Sequence, residues 1–465
     1  MLTPERTGLL KSFLGGLPEQ IAARLAQAVE VDRLVDGKTL PHEMILEGLR
    51  PALRRAAGAD RTPTPLRAFC VPFEDLFTLL PRKAKQKGSI ARGSVMPAWS
   101  WISQTLIVEQ TKDYIRDFKA LVLAGKQDEA RARAAAYWTV AASALAAAVA
   151  DTKKARGVLG SDLAAADAAE MALLLAIGSD VVDIQNLLPR LVPTLTEDLL
   201  WSLRQIYDRL IANTPDAAPY VAVIAMHRLA RPWEALKLPL MISRQTQDTL
   251  ISSTDMGLVG EILFGEIENH GKAVREVRPP NFDSAELLDS LTRFTTLSSG
   301  IVKGIDMRRD GKWGQRLMKD RADLATVMDG YMERAPKELA AALPMQKSGS
   351  FGGGPKYPDF TRPIDADKTD RALRYARLVA GCKTLAAAAS FNATQKKADE
   401  EMCQLLRSYN EDVVKELRTS DGARRAVVES QFEVVSNLTA MLFSEEEADL
   451  LRRRGKAAMA AATAA

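Results

Sequence analysis

Hydrophobic residues recur every three or four positions along most of the chain, and this spacing is typical of amphipathic helices. In the stretch that ends at Leu123, the large hydrophobic residues fall on one helical face: Ile107, Tyr114, Phe118 and Leu121. Two longer series lie near the C-terminus: Met402, Leu406, Tyr409, Val413 and Leu417, then Val428, Phe432, Val435, Leu438 and Leu442. No convincing run of alternating Val, Ile and Thr predicts a strand. The pattern therefore predicts an all-α protein.

Proline and glycine clusters interrupt this helical pattern. The Thr/Pro-rich stretch at 61–65 cannot be helical, and residues 346–363 combine a glycine run with several prolines. We predict four regions: N-terminal short helices at 1–66, a main α-helical domain at 67–345, a flexible linker or loop at 346–364, and a C-terminal helical bundle at 365–465. The expected fold is an irregular multi-helix stack of antiparallel helical hairpins, followed by the smaller bundle.

Helix starts are marked by prolines and by capping residues. Pro18 and Pro41 predict helices that reach about residues 34 and 57. Pro232 predicts a break followed by a new helix. Ser444 and Glu447 form a capping-box pattern that predicts the start of the last helix.

Charge and cysteine content limit the classes of protein that fit. Lys and Arg number 63 against 59 Asp and Glu, a net charge of +4. So small a balance creates no overall field that favours nucleic acid or a membrane as partner. Three widely separated cysteines exclude a disulfide framework and a four-cysteine zinc site, and we expect buried, unreactive thiols at Cys70, Cys382 and Cys403.

Neither a secretory signal nor a transmembrane helix is expected. The first residues contain no uninterrupted apolar stretch after a basic start, so we expect a cytoplasmic protein. The longest uncharged run, 134–150, reaches the lower length limit for a membrane span. It is mostly alanine, which gains little on leaving water, and we expect a tightly packed internal helix there.

The histidines do not form a metal-binding pattern. His42 and Glu43 begin like a zinc-protease helix motif, but Leu46 occupies the position of the second histidine. Glu266 and His270 lie close together without the carboxylate–histidine spacing of a di-iron bundle. We expect neither a metal nor a cofactor.

Two further motifs match known chemistry only in part. Residues 365–369 read DADKT, which is similar to the nucleophile motif of haloacid-dehalogenase-like phosphatases. That chemistry needs a buried strand before the first aspartate, and the prolines at 358 and 363 exclude one. We expect Asp365 and Asp367 to cap and charge a helix N-terminus instead. The glycine run at 349–356 lacks the residue order of a phosphate-binding loop.

The most informative local feature is a basic segment at 82–92. No acidic residue occurs between Asp75 and Glu109. Five cations and two adjacent tryptophans make a candidate anion-binding site: Arg82, Lys83, Lys85, Lys87, Arg92, Trp99 and Trp101. Such a segment can bind phosphates, anionic lipid head groups or an acidic protein surface. The alternative is a solvated basic loop ahead of a helix whose two tryptophans belong to the core.

Three functional hypotheses follow. The first is a non-enzymatic interaction or scaffold protein that binds another protein, because long amphipathic helices are present without any complete catalytic motif. The second is a binding module for an anionic polymer, nucleic acid or membrane surface that acts through residues 82–92. The third is an enzyme whose active site is dispersed over several helices. We expect the first.

Overall fold

The computed structural model describes residues 64–78, 84–189, 191–244, 251, 254–347 and 356–464, with scattered positions between 10 and 49. The helices predicted from Pro18 and Pro41 lie largely outside the described residues. Residues 61–63 of the Thr/Pro-rich stretch and the glycine run also lie outside them. Among the early positions, Leu14, Ala22 and Leu49 are buried in one cluster.

Contacts divide the chain into two compact units, Met1–Val71 with Met96–Ala148 and Pro72–Val95 with Val149–Ala465. Scattered described positions between 10 and 49 of the first unit are helical. Its continuous described part contains α1 (Pro65–Cys70), α2 (Val95–Trp101), α3 (Val108–Leu123) and α4 (Gln127–Val149). The boundary between the units falls after Val95 of α2 and after Ala148 of α4. A π-helical turn, Ile102–Leu106, joins α2 to α3. The units do not coincide with the four predicted ranges, and independent folding of residues 365–465 stays a prediction.

The second unit contains the remaining described helices. They are α5 (Thr152–Leu159), α6 (Asp162–Ala176), α7 (Gly178–Leu187), α8 (Glu197–Asn213), α9 (Tyr220–Arg228), α10 (Lys237–Ser243), α11 (Leu258–Glu276), α12 (Ser284–Gly304), α13 (Lys312–Ala342), α14 (Ala366–Gly381), α15 (Asn392–Thr419), α16 (Gly422–Leu442) and α17 (Glu445–Ala464). Short 3₁₀ turns lie at Val71–Leu76, Arg92–Ser94, Pro215–Ala217, Pro232–Leu236, Asp255–Gly257 and Cys382–Thr384.

Strands in the described residues are limited to two short pairs. β1 (Phe77–Thr78) pairs in parallel with β2 (Ile90–Ala91). β3 (Met345–Lys347) pairs antiparallel with β4 (Lys356–Pro358). The prediction of an all-α protein is confirmed.

Side-chain caps explain several of the helix starts. Thr64 Oγ1 accepts a hydrogen bond from Arg67 N at 3.2 Å, and Pro65 occupies the first turn of α1. The prediction that the stretch 61–65 is non-helical is therefore wrong at Pro65, because a proline fits the first helical position, where its missing N–H is not needed. Asp365 Oδ1 accepts from Lys368 N at 3.2 Å at the start of α14, so the predicted capping role of this aspartate is confirmed. Ser444 Oγ likewise accepts from Glu447 N at 3.2 Å.

The C-terminal helices form the predicted bundle. All ten hydrophobic residues singled out in the two C-terminal series are buried, on α15 and α16. Helices that follow one another pack in pairs, α11 on α12, α13 on α14, α15 on α16 and α16 on α17. The fold of this unit is the predicted stack of helical hairpins followed by a smaller bundle, although α13 also packs against α14 and α15 of that bundle.

The two ends of the predicted linker are held together. Asp359 N donates a hydrogen bond to Pro344 O at 2.9 Å, next to the β3–β4 pair. Gln431, a fully buried residue of α16, donates through Nε2 to Asp359 O at 3.0 Å and Arg362 O at 2.9 Å. Its Oε1 accepts from Tyr409 OH at 2.7 Å. A buried amide therefore holds the C-terminal part of the predicted linker, at Asp359 and Arg362, on α16.

Helix α4 contains the alanine-rich run. By length and composition alone it could cross a membrane, a criterion that helices of protein cores also satisfy. Its buried residues recur every three or four positions at Ala134, Tyr137, Ala141 and Leu145. Tyr137 stacks on Tyr114 of α3, with ring centroids 4.1 Å apart. The described residues contain no clear transmembrane segment.

Candidate functional site

The predicted anion-binding residues fall in different parts of the structure. Arg82 and Lys83 lie outside the described residues. Lys85, Lys87 and Arg92 belong to a segment of the second unit, residues 84–94, that packs on α6. Trp99 and Trp101 belong to the first unit.

Lys85 is engaged by two carboxylates. Its Nζ lies 2.5 Å from Asp167 Oδ1 and 2.5 Å from Glu170 Oε2, and it donates to Ser89 O at 2.6 Å. The side chains of Asp167 and Glu170 are only 1% and 5% exposed. The positive charge of Lys85 is therefore compensated inside the protein, and an external anion would have to displace a carboxylate to reach it.

The other two oxygens of these carboxylates bind the same segment. Asp167 Oδ2 accepts from Ala91 N at 3.0 Å and from Ser94 Oγ at 2.7 Å. Glu170 Oε1 accepts from Gly88 N at 2.6 Å and from the hydroxyl of Tyr220. Burial raises the pKa of this tyrosine above its ordinary value, so it remains a donor. All four carboxylate oxygens are satisfied, and the cluster fixes residues 85–94 on α6.

Gly88 allows residues 85–94 to pass close to α11. It has φ +83°, and a Cβ built there would lie 2.3 Å from the Cδ1 atom of Ile262. A residue with a side chain would be strained at that φ and would collide with α11.

The other cations of the segment remain at the surface. Lys87 and Arg92 are both exposed. The Arg92 guanidinium lies 5.6 Å from the ring centroid of Phe77, within cation–π range. Anion binding by residues 82–92 stays a prediction.

The two tryptophans belong to an aromatic core in the first unit. Trp101 is 2% exposed. Trp99 is half-buried, and its ring centroid lies 4.9 Å from that of Phe69 and 6.1 Å from that of Tyr137. Both tryptophans contribute to packing, as the alternative interpretation of the sequence expects.

A large cavity lies elsewhere in the second unit, where α12 ends and α13 begins. Its volume is about 1020 Å³. It is lined by Leu240, Val302, Lys303, Gly304, Ile305, Asp306, Met307, Arg309, Gly314, Leu317, Met318, Arg321, Ala322 and Ser390. Half of these residues are exposed, so the cavity opens to solvent.

Three cations line this cavity with a single carboxylate, that of Asp306. Within the described part of the chain, no carboxylate pairs with Lys303, Arg309 or Arg321. Arg321 is half-buried, and its Nε–H group is shielded from solvent without a hydrogen-bond acceptor. Burial lowers the pKa of its guanidinium from the ordinary value, although an arginine remains charged at neutral pH. A shielded donor without an acceptor is costly.

Part of the cavity wall is apolar. Ile305 and Leu317 are buried beneath it, whereas Val302 and Met318 are 45% and 56% exposed. Hydrophobic side chains of this size beside unpaired cations suit a ligand that carries both an apolar group and a negative charge.

A close backbone contact shapes the cavity. A Cβ added at Gly314 would lie 2.0 Å from Arg308 O, so only glycine lets the connection between α12 and α13 fold onto the first turn of α13. Leu317, Met318 and Arg321 follow at helical spacing and reach the same cavity.

The sequence carries a signal for this site in the residues around the start of α13. Residues 307–321 hold six cations and two carboxylates, interrupted by Gly311 and Gly314. The basic segment at 82–92 stood out more because no acidic residue lies near it in sequence.

No group of three or more His, Cys, Asp or Glu residues in the described ranges could hold a metal ion. Cys382 is buried, and this burial raises the pKa of its thiol to about 12, far from the value of a reactive thiolate. The cavity lining offers charged, hydrogen-bonding and apolar groups to a ligand. No protein-family description, curated protein or solved structure matches this chain.

Proposed function

We propose that this protein is a non-enzymatic helical interaction protein that binds another protein at the cavity between α12 and α13. The observation that carries the proposal is the set of three cations that pair with no carboxylate of the described residues, Lys303, Arg309 and Arg321. They lie beside the exposed side chains of Val302 and Met318.

Neighbouring cations of the same helix support this proposal by contrast. Lys312 Nζ lies 2.9 Å from Glu261 Oε1, and Arg316 binds both Glu261 and Glu268, at 3.0 and 2.9 Å. The first turns of α13 thus pair two of their cations within the chain, while the cations at the cavity are left for an external partner.

The exposed apolar side chains of Val302 and Met318 support a protein partner. Methionine and arginine are enriched in protein interfaces, and methionine adapts its shape to different partners. The cavity also opens to solvent. Its volume of about 1020 Å³ slightly exceeds the roughly 300–1,000 Å³ that small-molecule sites occupy.

Photo-crosslinking tests the proposal. A benzophenone amino acid is placed at position 318 of the full chain, and as a control at Leu450, which is 55% exposed against 56% for Met318. After irradiation in extract of the source cells, we expect a discrete protein adduct from position 318 and none from position 450. The same adducts from both positions, or none from 318, would contradict the proposal. An adduct of twice the chain mass would identify a second copy and not a separate partner.

A further inference from the structure

We infer that the segment received by the cavity is acidic, with an Asp or Glu carboxylate bound by Arg321 and an apolar side chain of the same segment packed on Met318. This inference rests on the proposed function, because it names the chemistry of the partner at that site.

The guanidinium of Arg321 is suited to bind a carboxylate. A guanidinium presents its donors in a planar fork that matches two oxygens of one anionic group. Arg321 Nε–H is shielded from solvent and has no acceptor. The guanidinium as a whole lines the cavity, and no carboxylate of the described residues pairs with it. Its N–H donors on the cavity side can therefore bind the carboxylate of a ligand.

The charge balance of the lining favours an anion as well. Lys303, Arg309 and Arg321 against Asp306 leave an excess of two positive charges, 3 − 1. Lys303 and Arg309 are exposed at the rim, where they attract a negatively charged segment as it approaches.

Apolar contact is the second requirement. Met318 and Val302 are the large exposed hydrophobic side chains among the described lining residues, and they lie on α13 and α12. An apolar side chain next to the acidic residue would cover both and remove them from water.

Nucleic acid fits this lining less well than a peptide. Proteins that bind single strands supply aromatic side chains on which bases stack. None of the described residues that line the cavity is aromatic.

The test is a selection of random dodecapeptides displayed on phage against the immobilised full chain. Three proteins are compared: the wild type, R321Q, and the control K319Q, which removes an exposed cation of the same helix that does not line the cavity. We expect the wild type and K319Q to select peptides in which Asp or Glu stands next to Leu, Ile, Met or Phe, and R321Q to lose this preference.

Affinity of the best selected peptide is then measured by fluorescence anisotropy. A version of this peptide with its acidic residue changed from Asp to Asn or from Glu to Gln should bind the wild-type protein roughly tenfold to a hundredfold more weakly. This is the range expected for the loss of a hydrogen bond between charged groups. The variant K303E/R309E, which changes the exposed cations at the rim, gives a second measurement that does not depend on the folding of R321Q. The peptide should bind this variant more weakly, and its affinity should depend less on salt concentration. Selection of peptides without acidic residues would overturn the inference. So would binding by R321Q and by K303E/R309E that is as tight as binding by the wild type.

The two proposals can fail separately. A protein adduct from position 318 without selection of acidic peptides would leave the proposed function standing and remove the acidic segment. Selection of acidic peptides without any protein adduct would remove the protein partner and leave recognition of the anion.

Discussion

Lys85 Nζ lies 2.5 Å from Asp167 Oδ1, an ion pair between residues 82 positions apart in sequence. Glu170 binds the same ammonium group from the next turn of α6. A lysine that the sequence groups with surface cations is thereby a structural residue, which holds the segment around Gly88 on the helix.

Replacement of Lys85 by methionine should therefore destabilise the protein strongly. The change leaves two nearly buried carboxylates without their cation, and removal of one partner of a buried pair costs about 3–5 kcal/mol. Lys87 is exposed, and K87M should change the free energy of unfolding by less than about 0.5 kcal/mol. Urea denaturation of both variants measures the difference. Equal stability of K85M and K87M would contradict the structural role of Lys85.

Asp320 on α13 should give a pH-dependent stability. It is 8% exposed, its Oδ2 has no hydrogen-bond partner, and burial, followed by repulsion from Glu268, raises its pKa above the ordinary 3.8. Between the unfolded and folded pKa the native state binds more protons, so the free energy of unfolding falls as the pH rises through that window. Above the window, the full cost of the buried charge is present.

The D320N variant removes this cost. We expect it to be more stable than the wild type at pH 7, with the difference disappearing as the pH falls below 3.8. The control E333Q changes an exposed carboxylate of the same helix. Urea denaturation at pH 3, 5 and 7 measures the effect. A D320N protein less stable than the wild type at pH 7 would show that nearby arginines stabilise the charged form.

Two glycines of α13 should respond to alanine in opposite directions. G314A places a Cβ 2.0 Å from a backbone oxygen, so the connection between α12 and α13 must move and stability must fall. At Gly330 nothing lies within 4 Å of the added atom, and alanine should stabilise the helix by up to about 1 kcal/mol. Thermal unfolding of the pair measures both effects. A G314A protein as stable as G330A would mean that the glycine does not shape the cavity.

Limited proteolysis addresses the segment at 346–363. Its glycine-rich sequence predicts first cleavage by trypsin after Lys347 or Lys356. Because α14 packs along α13 and Gln431 holds the chain at Asp359, the two fragments should stay together in gel filtration and separate only in denaturant. Fragments that separate without denaturant would support an independently folding C-terminal domain.

The sequence predicted the helices well because their faces depend on local spacing. Tyr409 and Phe432, for example, are buried as the three-to-four-residue repeat requires. Caps such as Asp365 are equally local, since the side chain bonds a backbone group three residues later.

The sites were less predictable because their contacts join distant parts of the chain. Nothing near Lys85 in sequence indicates its two carboxylate partners. The cavity combines the end of α12, the start of α13 and Leu240 of α10, so neither its volume nor the isolation of Arg321 can be read from one segment.

Photo-crosslinking from position 318 in wild-type and R321Q chains tests the central claim most directly, that the cavity binds a protein segment through Arg321. The account predicts a discrete protein adduct from the wild-type chain that is strongly reduced in R321Q and retained in K319Q. An adduct of equal yield in all three proteins, or none in any of them, would contradict it.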